Sequence, residues 1–216
     1  QQNDDAPQII LFPEVPFDQA RFLDKVKRTI QNQGYCSIIV SEGVKDKQGN
    51  FLSDSGEKDA FGHHQLGGIA PLITNIISKN LKLKCHWAVS DYLQRSARHL
   101  ASKTDTEQAY ALGKAAVEFA LADKKDIMLT VERTNDTPYQ WEIGCAPLNK
   151  VANFEKKMPI DFINDEGFGI TKKCRNYIAP LIQGEDFPPF INGIPDYRKL
   201  ENKLVEKKLV EALIES

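Results

Sequence analysis

The stretch "IILFPEVPFDQARFLDKVKRTIQNQGYCSIIVSEG", residues 9–43, decides the fold because it predicts a strand, a helix and a second strand in succession. Its opening apolar run, residues 9–12, predicts a short buried strand that ends at a proline. Apolar residues at helical spacing follow, with Asp18 as the expected N-cap and Gly34 as the expected end of the helix. The apolar run within residues 35–43 predicts a second strand that is covered on both faces.

The chain beyond this unit continues to alternate between strand and helix patterns. Residues 44–64 are rich in Gly, Ser, Asp and Lys, which indicates a long functional or mobile loop rather than a core element. Residues 66–82 predict a helix that opens on a glycine pair, and "LKCHWAV", residues 83–89, predicts a third strand. A long helix is expected to begin at Thr104, which starts a capping-box pattern with a glutamate three residues later.

The C-terminal part of the sequence predicts two more strands and one short turn of helix. Residues 126–134 and 139–148 are expected to be strands joined by a short turn, and residues 151–159 a turn of helix. Alternating strands and helices predict an α/β fold, a Rossmann-like layered sheet that is mainly parallel, with helices on both faces. We expect one domain over residues 1–197 and an amphipathic helix over residues 198–216.

Composition limits the classes of protein to which the chain can belong. Its 216 residues are 41% apolar and 27% charged, as in ordinary soluble globular proteins. The net charge of −2 predicts neither a nucleic-acid surface nor an anionic-membrane surface. The scattered cysteines and the absence of a signal-peptide pattern predict a cytoplasmic protein. The start "QQNDDAPQ", which lacks a methionine, leads us to expect a piece of a larger protein.

The ends of the predicted strands are the candidate ligand sites, because ligands of parallel α/β sheets lie at the carboxyl ends of the strands. Three places qualify: Glu14 with its preceding proline, residues 41–43, and residues 91–95. Glu42 leaves a strand beside Gly43, so its carboxylate could accept hydrogen bonds from a sugar hydroxyl close to the backbone. A carboxylate that merely ends a strand explains Glu42 equally well.

Tyr92 and Arg95 form the second candidate, because residues three apart share one face of a helical turn. An arginine fork and a phenol suit the oxygens of a phosphate monoester. Taken alone, a solvated helix start explains the pair slightly better than an anion site does. The adjacent pair His63 and His64 predicts loop residues rather than metal ligands, because neighbouring residues do not share a face.

Four motifs occur together in an order that resembles the phosphofructokinase family. They are "VSEG", "DAFGHHQLGG", "DYLQRSARHLASKTDTEQAYALGKAAV" and "PLNKVANFEKKMP". The similarity extends over residues 9–197 and is greatest to the diphosphate-dependent branch of the family. It implies a phosphofructokinase-like fold and identifies the chain as the C-terminal portion of such a protein.

The resemblance also implies the roles of particular residues. Glu42 matches the family glutamate that hydrogen-bonds the fructose ring. Tyr92, Leu93, Gln94 and Arg95 match the segment that closes on fructose 6-phosphate, with the arginine on the 6-phosphate. His86 lies near a position where many relatives carry an arginine that reaches the phosphate bound by a neighbouring subunit, and we do not assign His86 that role.

Several family motifs are absent from the sequence, and their absence limits the expected activity. The Gly-Gly-Asp donor loop, the Thr-Ile-Asp-Asn-Asp segment with the general base, and the Met-Gly-Arg segment do not occur. Phosphoryl transfer depends on positioning and charge neutralisation, so we expect this chain to have no catalytic residue and to be inactive alone. The resemblance implies fructose 6-phosphate and diphosphate as substrates, Mg²⁺ bound mainly outside this chain, and a homodimer or homotetramer.

Two alternatives remain open at the level of the sequence. An ATP-dependent member of the same family differs in its donor loop, which this chain does not contain. A non-catalytic subunit that binds a sugar phosphate and regulates or supports another chain would lack the base aspartate. The sequence of the donor loop and of the base segment would distinguish these two alternatives from a diphosphate-dependent enzyme.

Overall fold

The fold was obtained as a computed structural model that describes residues 7–58, 64–66 and 68–204, with the side chains of 54–58, 64–66, 94 and 95 left out. Its helices are α1 (Gln19–Gln33), α2 (Ile69–Leu81), α3 (Leu93–Ser96), α4 (Lys103–Leu121) and α5 (Lys172–Ile178). Its strands are β1 (Ile9–Leu11), β2 (Ile38–Val40), β3 (Asp54–Lys58), β4 (His64–Leu66), β5 (Ile127–Asp136), β6 (Tyr139–Pro147), β7 (Phe190–Ile191) and β8 (Ile194–Pro195). Single 3₁₀ turns occupy Arg98–Leu100, Leu148–Lys150, Ile160–Phe162 and Ala179–Ile182.

The unit formed by β1, α1 and β2 confirms the β–α–β prediction. The two strands pair in parallel, with Leu11 opposite Val40. Asp18 caps α1, since its Oδ1 accepts a hydrogen bond from the backbone N–H of Arg21 at 3.1 Å. Gly34 ends the helix with a φ of 80°, a left-handed conformation that glycine adopts without steric cost.

The main hydrophobic core lies between these strands and the helices α1 and α2. Its buried members are Ile9, Leu11, Phe22, Val26, Val44, Ile69, Ile73 and Ile77. We call β1, β2, α1, α2 and these side chains the core layer. Strand β2 is not covered on both faces as predicted, because Ile39 is half exposed within the part of the protein that the structure describes.

The polar segment at residues 44–64 is more ordered than the predicted loop in its described part. Val44 belongs to the core and Ser53 is also buried, so the segment begins inside the core layer. Asp46 closes a tight turn by accepting hydrogen bonds from the backbone N–H groups of Gln48 and Asn50, both at 2.9 Å. Strands β3 and β4 then pair as an antiparallel ribbon. His63 and its neighbours at 59–62 lie outside the described residues.

The predicted third strand at residues 83–89 is wrong, since no strand forms there. Leu83 and Cys85 pack against the core, whereas Trp87 and Val89 are exposed. The apolar pattern therefore reflects two inward contacts, and none of the described strands pairs with the segment. The helix that precedes it, α2, is confirmed and begins after Gly68.

Helix α4 packs beside a hairpin formed by the antiparallel strands β5 and β6, which confirms those three predicted elements. Its N-cap is Ser102 rather than Thr104, since the Ser102 Oγ accepts a hydrogen bond from the backbone N–H of Asp105 at 3.1 Å. The N-cap therefore lies two residues earlier than predicted. We call α4, β5, β6 and α5 the hairpin layer.

Three further predictions differ from the structure. Only β1 and β2 pair in parallel among the described strands, whereas the other three pairs are antiparallel, so the sheet is not mainly parallel. The expected helical turn at residues 151–159 lies earlier, as a 3₁₀ turn at Leu148–Lys150. The described part of the predicted terminal helix, residues 198–204, is not helical, and residues 205–216 lie outside the description. Across the described chain, no helix is both long and apolar enough to cross a membrane.

Candidate functional site

The carboxyl edge of the parallel pair carries two of the three predicted site segments. Parallel strands end at the same edge, and the hydrogen bond from the Ser41 N–H to the Leu11 carbonyl oxygen (3.2 Å) continues the pairing beyond β2. Glu14 and Glu42 follow β1 and β2 there, as the rule on strand ends predicts. Both carboxylates therefore belong to one edge of the core layer.

Glu42 is presented to solvent by a turn that is fixed on both sides. The Gly43 N–H donates a hydrogen bond to the Ser41 Oγ at 3.3 Å, and the Ser53 hydroxyl donates one to the Glu42 carbonyl oxygen at 3.1 Å. A Cβ on Gly43 would lie 3.4 Å from the ring of Pro13, which is an ordinary van der Waals distance, so the two strand ends lie close together. The backbone is held while the Glu42 side chain is exposed and able to accept a ligand hydroxyl.

The sequence singled out Glu14 only because it follows a predicted strand, and in the structure this residue makes a defined contact. Its Oε1 accepts a hydrogen bond from the Met158 N–H at 2.9 Å, which fastens residues 151–159 to the end of β1. Its Oε2 is buried and has no hydrogen-bond partner among the residues described. A buried carboxylate oxygen without a hydrogen-bond partner costs free energy. The described residues do not supply the donor that would offset this cost at the Oε2 of Glu14.

The third site segment lies on a short exposed turn. Leu93 N–H donates to the Ser90 carbonyl oxygen at 2.8 Å, and Asp91 has a φ of 44°, which lets the chain reverse before α3. Tyr92 is the residue immediately before α3, and its carbonyl oxygen accepts the Ser96 N–H at 3.0 Å. The prediction that a helical turn begins near Tyr92 is confirmed.

The described side chains of the turn at residues 90–96 are exposed, so they are accessible to a ligand or to another part of a protein. Tyr92 and Leu93 are 71% and 72% exposed. Gln94 and Arg95 follow them within α3, and the described backbone places Arg95 one helical turn after Tyr92. The structure thus groups these four residues on one turn and places Glu42 on the edge of the core layer, on a different element.

A polar cluster that sequence reasoning missed fastens the end of this turn to the rest of the chain. The Arg98 guanidinium donates to the carbonyl oxygen of Asp186 and, at 2.6 Å, to its Oδ2. The Thr106 hydroxyl, from the first turn of α4, donates to the same Oδ2 at 2.5 Å. The pKa of Asp186 is lowered, first by the Thr106 hydrogen bond and then by Arg98. Arg98 and Thr106 lie 88 and 80 positions from Asp186 in the sequence, so the spacing of residues alone could not predict these contacts.

Among the residues that the structure describes, the remaining histidines and cysteines do not form a metal centre. His86 and His99 are both exposed, on residues 83–89 and on the 3₁₀ turn after α3. Burial raises the pKa of the Cys36 and Cys174 thiols, which favours inert thiols. Among the described residues, no group of three or more His, Cys, Asp or Glu side chains could hold a metal ion.

Comparisons with known proteins identify the family of the chain. It is 55% identical over 207 residues to the pyrophosphate–fructose 6-phosphate 1-phosphotransferase of Halomonas elongata, covering 96% of this chain and 49% of that protein. The protein of the same name from Methylococcus capsulatus is also 55% identical, covering 93% of this chain and 48% of its own length. This chain belongs to the phosphofructokinase family. The sequence-based resemblance is thereby confirmed.

A solved structure confirms the phosphofructokinase-like α/β fold class. The pyrophosphate-dependent phosphofructokinase from Marinobacter aquaeolei superimposes with a TM-score of 0.79 at 50% sequence identity, covering 97% of this chain and 49% of that one. No protein-family model matched the sequence. This phosphofructokinase-family chain spans about half the length of the relatives it matches.

Proposed function

We propose that the chain is the C-terminal, fructose 6-phosphate-binding half of a diphosphate-dependent phosphofructokinase. The parent protein transfers a phosphoryl group from diphosphate to the 1-hydroxyl of fructose 6-phosphate. The observation that carries this proposal is the 55% identity to two proteins named for that reaction, over nearly the whole chain. The identity supports diphosphate rather than ATP as the donor, and a catalytic rather than a regulatory parent.

The proposed contribution of this chain is to hold the acceptor sugar. Glu42 accepts hydrogen bonds from fructose hydroxyls, and its exposed carboxylate on a fixed turn supports that role. Tyr92, Leu93, Gln94 and Arg95 close on the sugar phosphate from the exposed turn at α3. The Arg95 guanidinium binds two phosphate oxygens at once, which fixes the orientation of the 1-hydroxyl.

Magnesium and the remaining chemistry belong, in this proposal, outside the chain. Mg²⁺ would supply neutralisation of charge on the diphosphate. The described residues do not form a cluster that fits the ion, so no step assigned to this chain depends on it. We further propose that the parent is a cytoplasmic homo-oligomer, a dimer or tetramer, and that residues 1–197 form its sugar-phosphate part, with no nucleic-acid or membrane partner.

Calorimetric titration of fructose 6-phosphate into this chain tests the proposal. We expect binding that Arg95→Ala weakens about 10- to 100-fold, the equivalent of losing a charged hydrogen-bond partner. Arg28→Ala is the matched control, because Arg28 is an exposed arginine on α1 paired with Asp24 at 2.8 Å. Equal affinities of the wild type and Arg95→Ala would remove Arg95 from the site.

The expected inactivity of the isolated chain is tested separately. The chain is mixed with Mg²⁺, diphosphate and fructose 6-phosphate, and phosphorus NMR follows the appearance of fructose 1,6-bisphosphate. We expect no product above the rate of a protein-free control. Product formation by this chain alone would show that the general base and the donor site need not come from elsewhere.

A further inference from the structure

Arg98 fastens the end of the α3 turn, residues 90–96, by binding Asp186 through two nitrogens of its guanidinium. Nη1 donates a hydrogen bond to the Asp186 carbonyl oxygen, and Nη2 donates one to the Asp186 Oδ2 at 2.6 Å. The two side chains are 35% and 37% exposed, so most of the pair is shielded from water. A charged contact with two hydrogen bonds fixes direction as well as distance. The position of Arg98 is therefore set by Asp186.

Asp186 is itself held by the N-terminal end of α4. The Thr106 hydroxyl donates to the same Oδ2 at 2.5 Å, and the Lys103 N–H donates to the Gly184 carbonyl oxygen at 3.0 Å. Helix α4 contains 19 residues and packs beside the hairpin of β5 and β6. Arg98 thus ties a short exposed turn to a long element of the hairpin layer.

The backbone transmits this restraint from Arg98 to Arg95. The Ala97 N–H donates to the Leu93 carbonyl oxygen at 2.9 Å, and the Leu100 N–H donates to the Ala97 carbonyl oxygen at 2.8 Å. Helix α3 and the 3₁₀ turn that follows it therefore meet at Ala97. Because the two turns share this residue, a shift of Arg98 displaces the backbone that carries Arg95.

The charge of Arg98 is already matched by a carboxylate. Asp186 neutralises the Arg98 guanidinium at a distance of 2.6 Å. A guanidinium that binds a carboxylate through two of its nitrogens has fewer donors left for a phosphate. The proposed function assigns the sugar phosphate to Arg95, three positions earlier, which leaves Arg98 an indirect role.

We infer that Arg98 is a positioning residue of the proposed sugar-phosphate site: its contact with Asp186 holds the α3 turn in the place from which Arg95 reaches the 6-phosphate of fructose 6-phosphate. The inference rests on the proposed function, because Arg98 acts on the ligand only through Arg95. A turn that is held before the ligand arrives loses less conformational freedom on binding. Release of the turn should therefore weaken binding, and only while Arg95 is present.

A double-mutant cycle tests the inference, with fructose 6-phosphate titrated calorimetrically into the wild type, Arg98→Met, Arg95→Ala and the double variant. We expect Arg98→Met to weaken binding about 3- to 10-fold, the equivalent of ordering one side chain. In the Arg95→Ala background the same change should have no further effect, because the group that Arg98 positions is gone. Arg28→Met is the matched control and should bind as the wild type does, since it removes an arginine paired with Asp24 at 2.8 Å on α1.

The outcomes of the cycle separate this inference from the proposed function. Equal affinities of the wild type and Arg98→Met would overturn the inference alone. An equal loss in both backgrounds would also overturn it, because Arg98 would then bind the ligand itself or support the fold in general. Absence of binding by the wild type, or unchanged affinity of Arg95→Ala, would contradict the proposed function, and the inference would fall with it.

Hydrogen exchange of the ligand-free variants supplies a second measurement. Arg98→Met should accelerate exchange of the Ser96 and Ala97 amides and leave α1 unchanged. Unchanged exchange at both amides would show that the turn is held without Arg98, which overturns the inference. Asp186→Asn retains Arg98 but removes its charged partner, and the same results are expected of it. This variant replaces Arg98→Met in the cycle if helical circular dichroism shows that Arg98→Met does not fold.

Discussion

The core layer and the hairpin layer are built from similar elements but are held together by different forces. The core layer buries eight apolar side chains, four of which are almost completely inaccessible to water. Nearly every side chain of the hairpin layer is exposed or only half buried. Polar contacts join its parts instead: Gln108 donates to the Tyr139 hydroxyl at 2.6 Å, and Arg133 donates to the Tyr177 carbonyl oxygen at 2.6 Å.

The two layers therefore differ in how much of their apolar surface they bury within themselves. Burial of apolar surface is the dominant favourable term in folding, and the core layer supplies it internally. The hairpin layer is joined by directional polar contacts and leaves much of its described apolar surface exposed. The sugar-site candidates divide between the two: Glu42 lies on the core layer, and the turn with Tyr92 and Arg95 leads into the hairpin layer.

Truncation of a core side chain should have the largest effect on stability. Phe22 is fully buried in α1 against Phe17, with ring centroids 5.4 Å apart. We expect Phe22→Ala to lower the free energy of unfolding by about 3–5 kcal/mol, because it removes apolar contacts and leaves a cavity. Urea unfolding followed by circular dichroism measures the change. Phe154→Ala, at a position that is 70% exposed, should stay within about 0.5 kcal/mol of the wild type.

Removal of the cation between the aromatic rings should have a smaller effect, confined to the hairpin layer. The Arg133 guanidinium lies 4.7 Å from the Tyr139 ring centroid and 4.2 Å from that of Tyr177. We expect Arg133→Met to cost about 2 kcal/mol, since it removes the two stacking contacts and the hydrogen bonds of the guanidinium. Hydrogen exchange should accelerate in β5 and β6 and remain unchanged in α1.

Lys125→Met is the control for that prediction. It also replaces a cation by methionine, but Lys125 is largely exposed and its ion pair with Asp123 lies on the surface. Exchange rates should therefore match those of the wild type. Faster exchange in α1 of Arg133→Met would show that the two layers unfold as one unit, which contradicts the separation drawn above.

Sequence patterns predicted the core layer well because its determinants are local. Asp18 and Gly34 bound α1 through contacts within their own helix turn, and the apolar strand β1 is buried as its composition indicates. The strand prediction at residues 83–89 was wrong because an apolar pattern does not show whether a neighbouring strand is present to pair with it. Tertiary context decides that, and it overrides propensity.

The candidate site was only partly accessible to the same reasoning. Glu42 and the turn at Tyr92 follow from strand-end and spacing rules, and their roles come from family resemblance. Two long-range contacts around the site do not follow from such rules: Glu14 holds Met158 near the end of β1, and Arg98 joins the end of the turn at Tyr92 to Asp186, across 144 and 88 residues. No periodic pattern links residues so far apart, so these positioning contacts became visible only in three dimensions.

The two candidate caps of α4 give a direct test of local prediction against structure. The Ser102 Oγ accepts the Asp105 N–H and donates to the Leu181 carbonyl oxygen at 2.6 Å. Ser102→Ala should therefore cost about 1 kcal/mol, as the loss of an N-cap does. Thr104→Ala should cost less, because its hydroxyl makes only a 3.4 Å contact with the Gln183 carbonyl oxygen. Thermal unfolding of both variants compares them, and the opposite order would restore Thr104 as the cap.

Acid should weaken the contacts of Arg98 and Thr106 with Asp186, which we call the Asp186 junction between the α3 turn and α4. This is the smallest effect we expect. The pKa of Asp186 is lowered from its ordinary value of 3.8, first by the Thr106 hydrogen bond and then by Arg98. A depressed pKa in the folded state means that the contribution to stability is complete above the unfolded pKa and is lost as the pH falls through the folded one. Unfolding midpoints in urea at pH 6 and pH 3 should differ less for Asp186→Asn than for the wild type. Asp196→Asn, which removes a carboxylate from the same end of the chain, should keep the wild-type difference. An equal pH response of Asp186→Asn and the wild type would mean that Arg98 and Thr106 hold the junction without the charge of Asp186.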